Sequence, residues 1–133
     1  MRGRMRLMIF HLFVLYFLCA LMQFFDTTHV PQKLTGRWET AYPGYENATI
    51  TITDSAIIFD NGPAFSDTNQ ILKVTQTTED GTHCYTIRYR SRDGEKYSLA
   101  MYVNIAGDYP VLRLKNQMHI LWEKSPDSHM EVQ

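Results

Sequence analysis

Apolar and polar residues alternate along most of this chain, and turn-forming residues interrupt the alternation at short intervals. Between residues 34 and 124 the runs are rich in Ile, Val, Thr and Tyr, and apolar residues do not recur at helical spacing. The pattern predicts eight strands, at residues 34–42, 48–53, 56–60, 71–77, 83–91, 96–105, 111–115 and 118–124. Because only short turns separate them, strands that are neighbours in sequence should pair as an antiparallel meander.

Side-chain parity tests this meander, because residues paired across a hairpin point to the same face of the sheet. A three-residue loop at 92–94 keeps the apolar residues of both flanking strands on one face, and Gly94 supplies the left-handed residue that such a loop needs. The predicted pairs are Tyr89 with Tyr97, Ile87 with Leu99, Tyr85 with Met101, Ile52 with Ile57, Ile50 with Phe59, Leu112 with Trp122 and Leu114 with Ile120.

An eight-stranded meander either exposes two edge strands or closes on itself, and closure removes both edges. We therefore predict an all-β, eight-stranded antiparallel barrel whose first and last strands pair. Trp38 and Trp122 lie on those two strands and should become neighbours in the core. The interior of an eight-stranded barrel is filled by side chains or holds one small ligand.

The N-terminal segment is almost wholly apolar from residue 7 to residue 25, and it follows three arginines. We expect a hydrophobic helix there, because the apolar length approaches the ~20 residues that cross a bilayer. The arginines should stay in the cytoplasm, which places the rest of the chain outside it. Residues 1–25 are interpreted as a signal-anchor that holds a single-pass membrane protein. A cleaved signal peptide, giving a secreted or periplasmic protein, is the alternative.

Composition limits the remainder of the chain. Residues 26–33 are interpreted as a connector, residues 34–124 as one domain and residues 125–133 as a flexible tail. Beyond the N-terminal segment, ten Lys and Arg stand against fourteen Asp and Glu, and this weakly acidic balance disfavours nucleic-acid binding. Cys19 lies in the apolar segment and Cys84 is alone in the domain, so no disulfide framework is predicted.

Two short motifs carry a resemblance to a known family. Gly36-Arg37-Trp38 resembles the G-x-W motif of lipocalins and related calycin barrels, and Gly107-Asp108-Tyr109 falls where lipocalins carry a T-D-Y motif. The resemblance implies a barrel floor formed by Trp38 with Trp122 and covered by Lys124. It also implies binding of a small apolar molecule or of another protein. Gly107 in place of threonine and the short chain depart from the family pattern.

One face of the fifth and sixth predicted strands is apolar and carries three tyrosine hydroxyls. Its members are Tyr85, Ile87, Tyr89, Tyr97, Leu99, Met101 and Val103. In a filled core the hydroxyls would need hydrogen-bond partners, whereas in a cavity they would orient a ligand. Core packing and a pocket wall therefore stand as alternatives for this face.

The opposite face of the fifth predicted strand carries a basic stripe, Arg88, Arg90 and Arg92. Charged residues that alternate along a strand usually face water. The alternative is recognition of an anionic headgroup or an acidic partner, since the planar guanidinium group matches carboxylates and phosphates.

No catalytic or metal-binding motif stands out. His29, His83, His119 and Cys84 lack the spacing of metal ligands, and His83 and Cys84 point to opposite faces of a strand. No nucleophile elbow, phosphate-binding loop or convergent acid pair occurs. We therefore expect no enzyme and no cofactor, but an extracytoplasmic binding module. Its ligand is a small apolar molecule, or else it is a ligand-free inhibitor, chaperone or assembly factor that binds another protein.

Overall fold

The computed structural model describes residues 2–21, 26–27, 29–106 and 109–126. These residues form one helix and nine strands: α1 (Arg2–Leu21), β1 (Asp26–Thr27), β2 (Gly36–Glu39), β3 (Ala48–Ile52), β4 (Ala56–Asn61), β5 (Ser66–Glu79), β6 (Thr82–Arg90), β7 (Lys96–Ala106), β8 (Tyr109–Leu114) and β9 (Gln117–Lys124). The predicted N-terminal helix and all eight predicted strands are present. Residues 22–25 of the apolar segment, 107–108 of the second motif and 127–133 of the predicted tail lie outside the described residues.

Strands β2 to β9 form a closed barrel. Each pairs antiparallel with its neighbour in sequence, and the pairing of β2 with β9 completes the circle. Trp38 lies opposite Lys124 across this junction. Just beyond it, the amide of Ser125 donates to the carbonyl of Arg37 at 2.7 Å. The prediction of an eight-stranded antiparallel meander that closes on itself is confirmed.

The hairpin registers follow side-chain parity at all but one of the predicted pairs. Gly94 has a φ of +89° between β6 and β7, as the predicted loop requires. The exception is Leu114, which pairs with Gln117 and not with Ile120, because a register shift interrupts the ladder of β8 and β9. The irregularity keeps Leu114 and Ile120 both buried although they no longer face each other.

Strand β5 pairs with three neighbours. Its first residues, from Ser66 to Gln70, pair with β4; its later residues pair with β6, and Val74 and Thr75 also pair with the short β1. A register shift after Ile71 marks the change between the two long pairings. The strand therefore begins at Ser66, whereas the alternation predicts a start at Ile71. The connector is ordered in part, because its first residues form β1.

One end of the barrel is closed by the chain that leads into β2. Val30 and Leu34 are buried in the core cluster beside Trp38, and the amide of Leu34 donates to the carbonyl of Pro31 in a tight turn. The indole Nε1 of Trp38 in turn donates to the carbonyl of Leu34 at 2.9 Å. Because β2 begins here and the strands alternate in direction, β4 ends and β5 begins at the opposite end.

Candidate functional site

The predicted pocket wall is one continuous face of β6 and β7, but its two halves differ in exposure. Tyr85, Ile87, Met101 and Val103 are buried and belong to the core cluster. Tyr89 and Leu99 are half-buried, and Tyr97 is 49% exposed. The deep half of the predicted wall is therefore core, and only the half nearest the β6–β7 loop is accessible to a ligand.

The accessible half belongs to a cluster that we call the mouth, formed by Phe59, Asp67, Asn69, Tyr89 and Tyr97. The rings of Phe59 and Tyr89 have centroids 5.9 Å apart, and those of Tyr89 and Tyr97 are 5.7 Å apart. Asp67 lies in register with Phe59 across β4 and β5. Four strands thus bring three aromatic rings, a carboxylate and a carboxamide to one end of the barrel.

Asn69 lies deepest in the mouth, with only 1% of its surface exposed. Its Nδ2 donates to the carbonyl and to Oδ2 of Asp67, both at 3.2 Å, and to the carbonyl of Ile57 at 3.5 Å. These three acceptors fix the orientation of the amide. Its Oδ1 has no hydrogen-bond partner among the described residues. The amide therefore presents an acceptor and no spare donor.

The carboxylate of Asp67 acts on the aromatic part of the mouth. Burial, and after it the negative charge of Asp67, raises the pKa of the Tyr89 phenol above its ordinary value. Tyr89 therefore keeps its proton at neutral pH. The mouth combines neutral rings with one negative group.

Asn69 is one of three buried side chains in the described part of the chain that leave a polar atom without a partner. The other two atoms are the hydroxyl of Tyr85 and the indole Nε1 of Trp122. All three side chains are at least nine-tenths buried, and they lie on the interior face of β5, β6 and β9. Buried polar atoms in native proteins nearly always have partners, so such a group invites a polar ligand.

Of the predicted floor residues, Trp38 and Lys124 meet at the closed end, whereas the ring of Trp122 contacts that of Tyr45, with centroids 6.5 Å apart. Nζ of Lys124 lies 5.2 Å from the centroid of the Trp38 ring and donates to the carbonyl of Lys33 at 3.3 Å. Trp38 is fully buried and Trp122 nearly so. Burial lowers the pKa of Lys124 below its ordinary value. This end of the barrel is a compact plug in which the buried Trp38 ring makes a cation–π contact with Lys124.

The basic stripe lies on the outer wall. Arg88, Arg90 and Arg92 are exposed. Across the sheet, Arg88 lies opposite Lys73 and Arg90 opposite Lys96. Like charges directly opposite each other destabilise a sheet, so the pairing of these like charges does not itself favour folding.

The outer wall also carries a polar groove and a buried cysteine. A polar groove of about 430 Å³ runs beside β2 and β3, where Arg37, Glu39, Glu46 and Asn47 line it. Cys84 is buried, and that burial raises the pKa of its thiol, which therefore stays protonated at neutral pH. Over the described stretches, no three His, Cys, Asp or Glu side chains are grouped as metal ligands.

Of the mouth residues, sequence reasoning predicts Phe59 only as the partner of Ile50, and it misses Asp67 and Asn69. They lie in the run Ser-Asp-Thr-Asn-Gln at residues 66–70, which contains no apolar residue and so gives no alternation. The signal that could have found them is the pairing of β4, whose buried Ile57 and half-buried Phe59 need partners across the sheet.

Comparison with protein families, with curated proteins and with solved structures found no match to this chain. Among the residues that the structure describes, no helix is both long enough and apolar enough to cross a membrane.

Proposed function

We propose that the chain is an extracytoplasmic binding module of lipocalin-like type, which holds a small ligand at the mouth of its barrel. The observation that carries the proposal is the buried Asn69 of the mouth, whose Oδ1 has no hydrogen-bond partner among the described residues. A barrel evolved only for stability gains nothing from leaving that atom without a hydrogen bond. The exposed rings of the mouth give a ligand its point of entry.

The closed end supports the lipocalin-like part of the proposal. Trp38, from the G-x-W match, lies in the plug, and the basic side chain of Lys124 covers its ring. The meander order and the pairing of first and last strands are compatible with that fold. In the second motif, Tyr109 is exposed at the start of β8, and the other two motif residues, Gly107 and Asp108, lie outside the described residues.

The location of the domain is part of the same proposal. It rests on Arg2, Arg4 and Arg6 ahead of the apolar segment, which favour a cytoplasmic N-terminus. A signal-anchor through residues 7–25 or a cleaved signal peptide leads to the same side. A reporter enzyme that is active only outside the cytoplasm, fused after Gln133, should be active. Activity of a cytoplasm-dependent reporter at the same position would reverse the topology.

Binding at the mouth can be tested on the full chain with isotope-labelled tyrosine, in micelles. Phenethyl alcohol, phenethylamine and phenylacetate share one ring and differ in the charge of the head group. At least one of them should shift the NMR signals of Tyr89 and Tyr97. The exposed Tyr109 on β8 serves as the control and should not move. If none of the three shifts the mouth tyrosines, the proposed function is wrong.

The like-charge pairs of the basic stripe favour a second candidate function, the recognition of an acidic partner by the outer wall. Polyglutamate is a suitable probe. The full chain should bind it in low salt and release it as salt screens the charges. The double variant R88Q/R90Q should lose most of this binding, whereas R37Q, which removes a charge that already pairs with Glu39, should keep it. Equal binding by both variants would exclude the basic stripe as the binding site for polyglutamate.

A further inference from the structure

At the deepest point of the mouth, Asn69 offers a hydrogen-bond acceptor, and the neighbouring Asp67 adds a negative charge. We propose that the ligand of the mouth is a protonated amine carried on a small aromatic or apolar body. This inference rests on the proposed function and names the class of molecule that the same site takes.

The first step is the chemistry of Asn69. All of its donor capacity is directed at Asp67 and Ile57, and the free atom is Oδ1, which accepts and cannot donate. A group that completes this site must therefore carry an N–H or O–H. A carboxylate has no proton to offer and would face Oδ1 oxygen to oxygen.

The second step is the charge beside that acceptor. Asp67 receives one hydrogen bond at Oδ2 from Asn69, and within the described ranges no Lys, Arg or His forms an ion pair with it. Arg88 and Arg90 of the basic stripe project from the outer face of β6, because they flank the inward-facing Tyr89. A cationic ligand would thus find a carboxylate that the protein itself does not neutralise.

The third step is the ring cluster above them. Phe59, Tyr89 and Tyr97 form a continuous aromatic surface, of which Tyr97 is half exposed. Aromatic faces attract cations through their quadrupole and also pack against an apolar ligand body. Because the Tyr89 phenol stays neutral, it adds no second negative charge beside Asp67. Aromatic rings beside a carboxylate form a combination that selects cations over anions.

The test compares dissociation constants of the full chain for phenethylamine, phenethyl alcohol and phenylacetate, read from the tyrosine signals of the mouth. Phenethylamine should bind about tenfold more tightly than the alcohol, the effect of one charge-assisted hydrogen bond of moderate strength. Phenylacetate should bind most weakly. The variant D67N keeps the shape and removes the charge, so the preference for the amine over the alcohol should disappear.

D60N is the matched control. Asp60 follows Phe59 on β4 and points to the opposite face, so the same change of charge there should leave the preference intact. Tyr97, which is half exposed, gives a second variant that should not disturb folding: Y97L should weaken the amine more than the alcohol. If the alcohol binds as tightly as the amine, or D67N keeps the preference, the inference is wrong while the proposed function stands. If no probe binds at the mouth, both fail.

Discussion

The two ends of the barrel use the same kinds of residue in opposite ways. At the closed end, Trp38 is fully buried, its Nε1 donates to Leu34, and Lys124 covers its ring. At the mouth, Tyr97 is half exposed and Asn69 keeps an acceptor without a partner among the described residues. Interactions completed within the chain stabilise one end, whereas the other end keeps polar and aromatic groups that we propose a ligand contacts. Substitutions at the two ends should therefore differ in kind.

The largest effect is expected from removal of the ring at the closed end. W38A should lower the free energy of unfolding by about 3–5 kcal/mol, the usual cost of deleting a large buried aromatic side chain. For a domain of this size that is much of the total stability. Urea unfolding of the full chain, followed by far-ultraviolet circular dichroism, measures the loss. An unchanged midpoint would show that Trp38 does not hold the barrel closed.

Removal of the aliphatic part of the plug should come next. Leu34 is fully buried outside any strand, and L34A should cost about 2–5 kcal/mol through the cavity that it leaves. Ile105 is 78% exposed on β7, so I105A is the control and should stay within about 0.5 kcal/mol of the wild type. Equal effects of the two variants would mean that residues 30–34 do not seal the barrel.

Truncation at the mouth should change stability much less. Y97A removes a half-exposed ring, and we expect a loss below about 1 kcal/mol. The same variant should weaken binding of the phenethyl probes, since Tyr97 supplies the outer ring of the cluster. A loss of stability comparable to that of W38A would contradict the distinction between the two ends.

The smallest effect on stability is expected on the outer wall, and it should depend on pH. Hydrogen bonds from Tyr102 and then from Lys115 hold the pKa of Glu79 below its ordinary value. A lowered pKa in the folded state gives stability above the ordinary Glu value of about 4.3, and this stability is lost as pH falls through the folded value. E79Q should therefore be less stable than the wild type at neutral pH, and the gap should close in acid. Thermal melts across that range would show it, and a gap independent of pH would exclude the titration of Glu79 as its cause.

Much of the fold could be predicted because alternation and turn residues act locally. Parity alone places Tyr89 opposite Tyr97 and Leu112 opposite Trp122. The register of Leu114 could not be predicted, because an irregularity in the ladder costs little when Leu114 and Ile120 both stay buried. Val30 lies in the predicted connector, and its burial depends on a tertiary contact that no local pattern encodes.

The candidate site was predicted only in part, for a related reason. The tyrosines of β6 and β7 follow the apolar alternation and are visible in the sequence. Asp67 and Asn69 are polar residues on an interior face, so a rule that places polar residues outside assigns them to a loop. In a binding site, the residues that contact a ligand need not follow the apolar alternation of a core. Those positions are therefore the hardest to predict from the sequence.

The junction of β2 and β9 also has a dynamic consequence. Its described register consists of Trp38 with Lys124 and Glu39 with Glu123, whereas β5 and β6 pair from Gln70 to Glu79. Strands adjacent in sequence can associate early, but this seam joins chain segments that are far apart and must pay the entropy of ring closure. The barrel should therefore close last and open first along this line. Amide hydrogens of β2 would exchange with solvent ahead of those in the β5–β6 hairpin, and fluctuations of the wall would be concentrated next to the tryptophan that seals it.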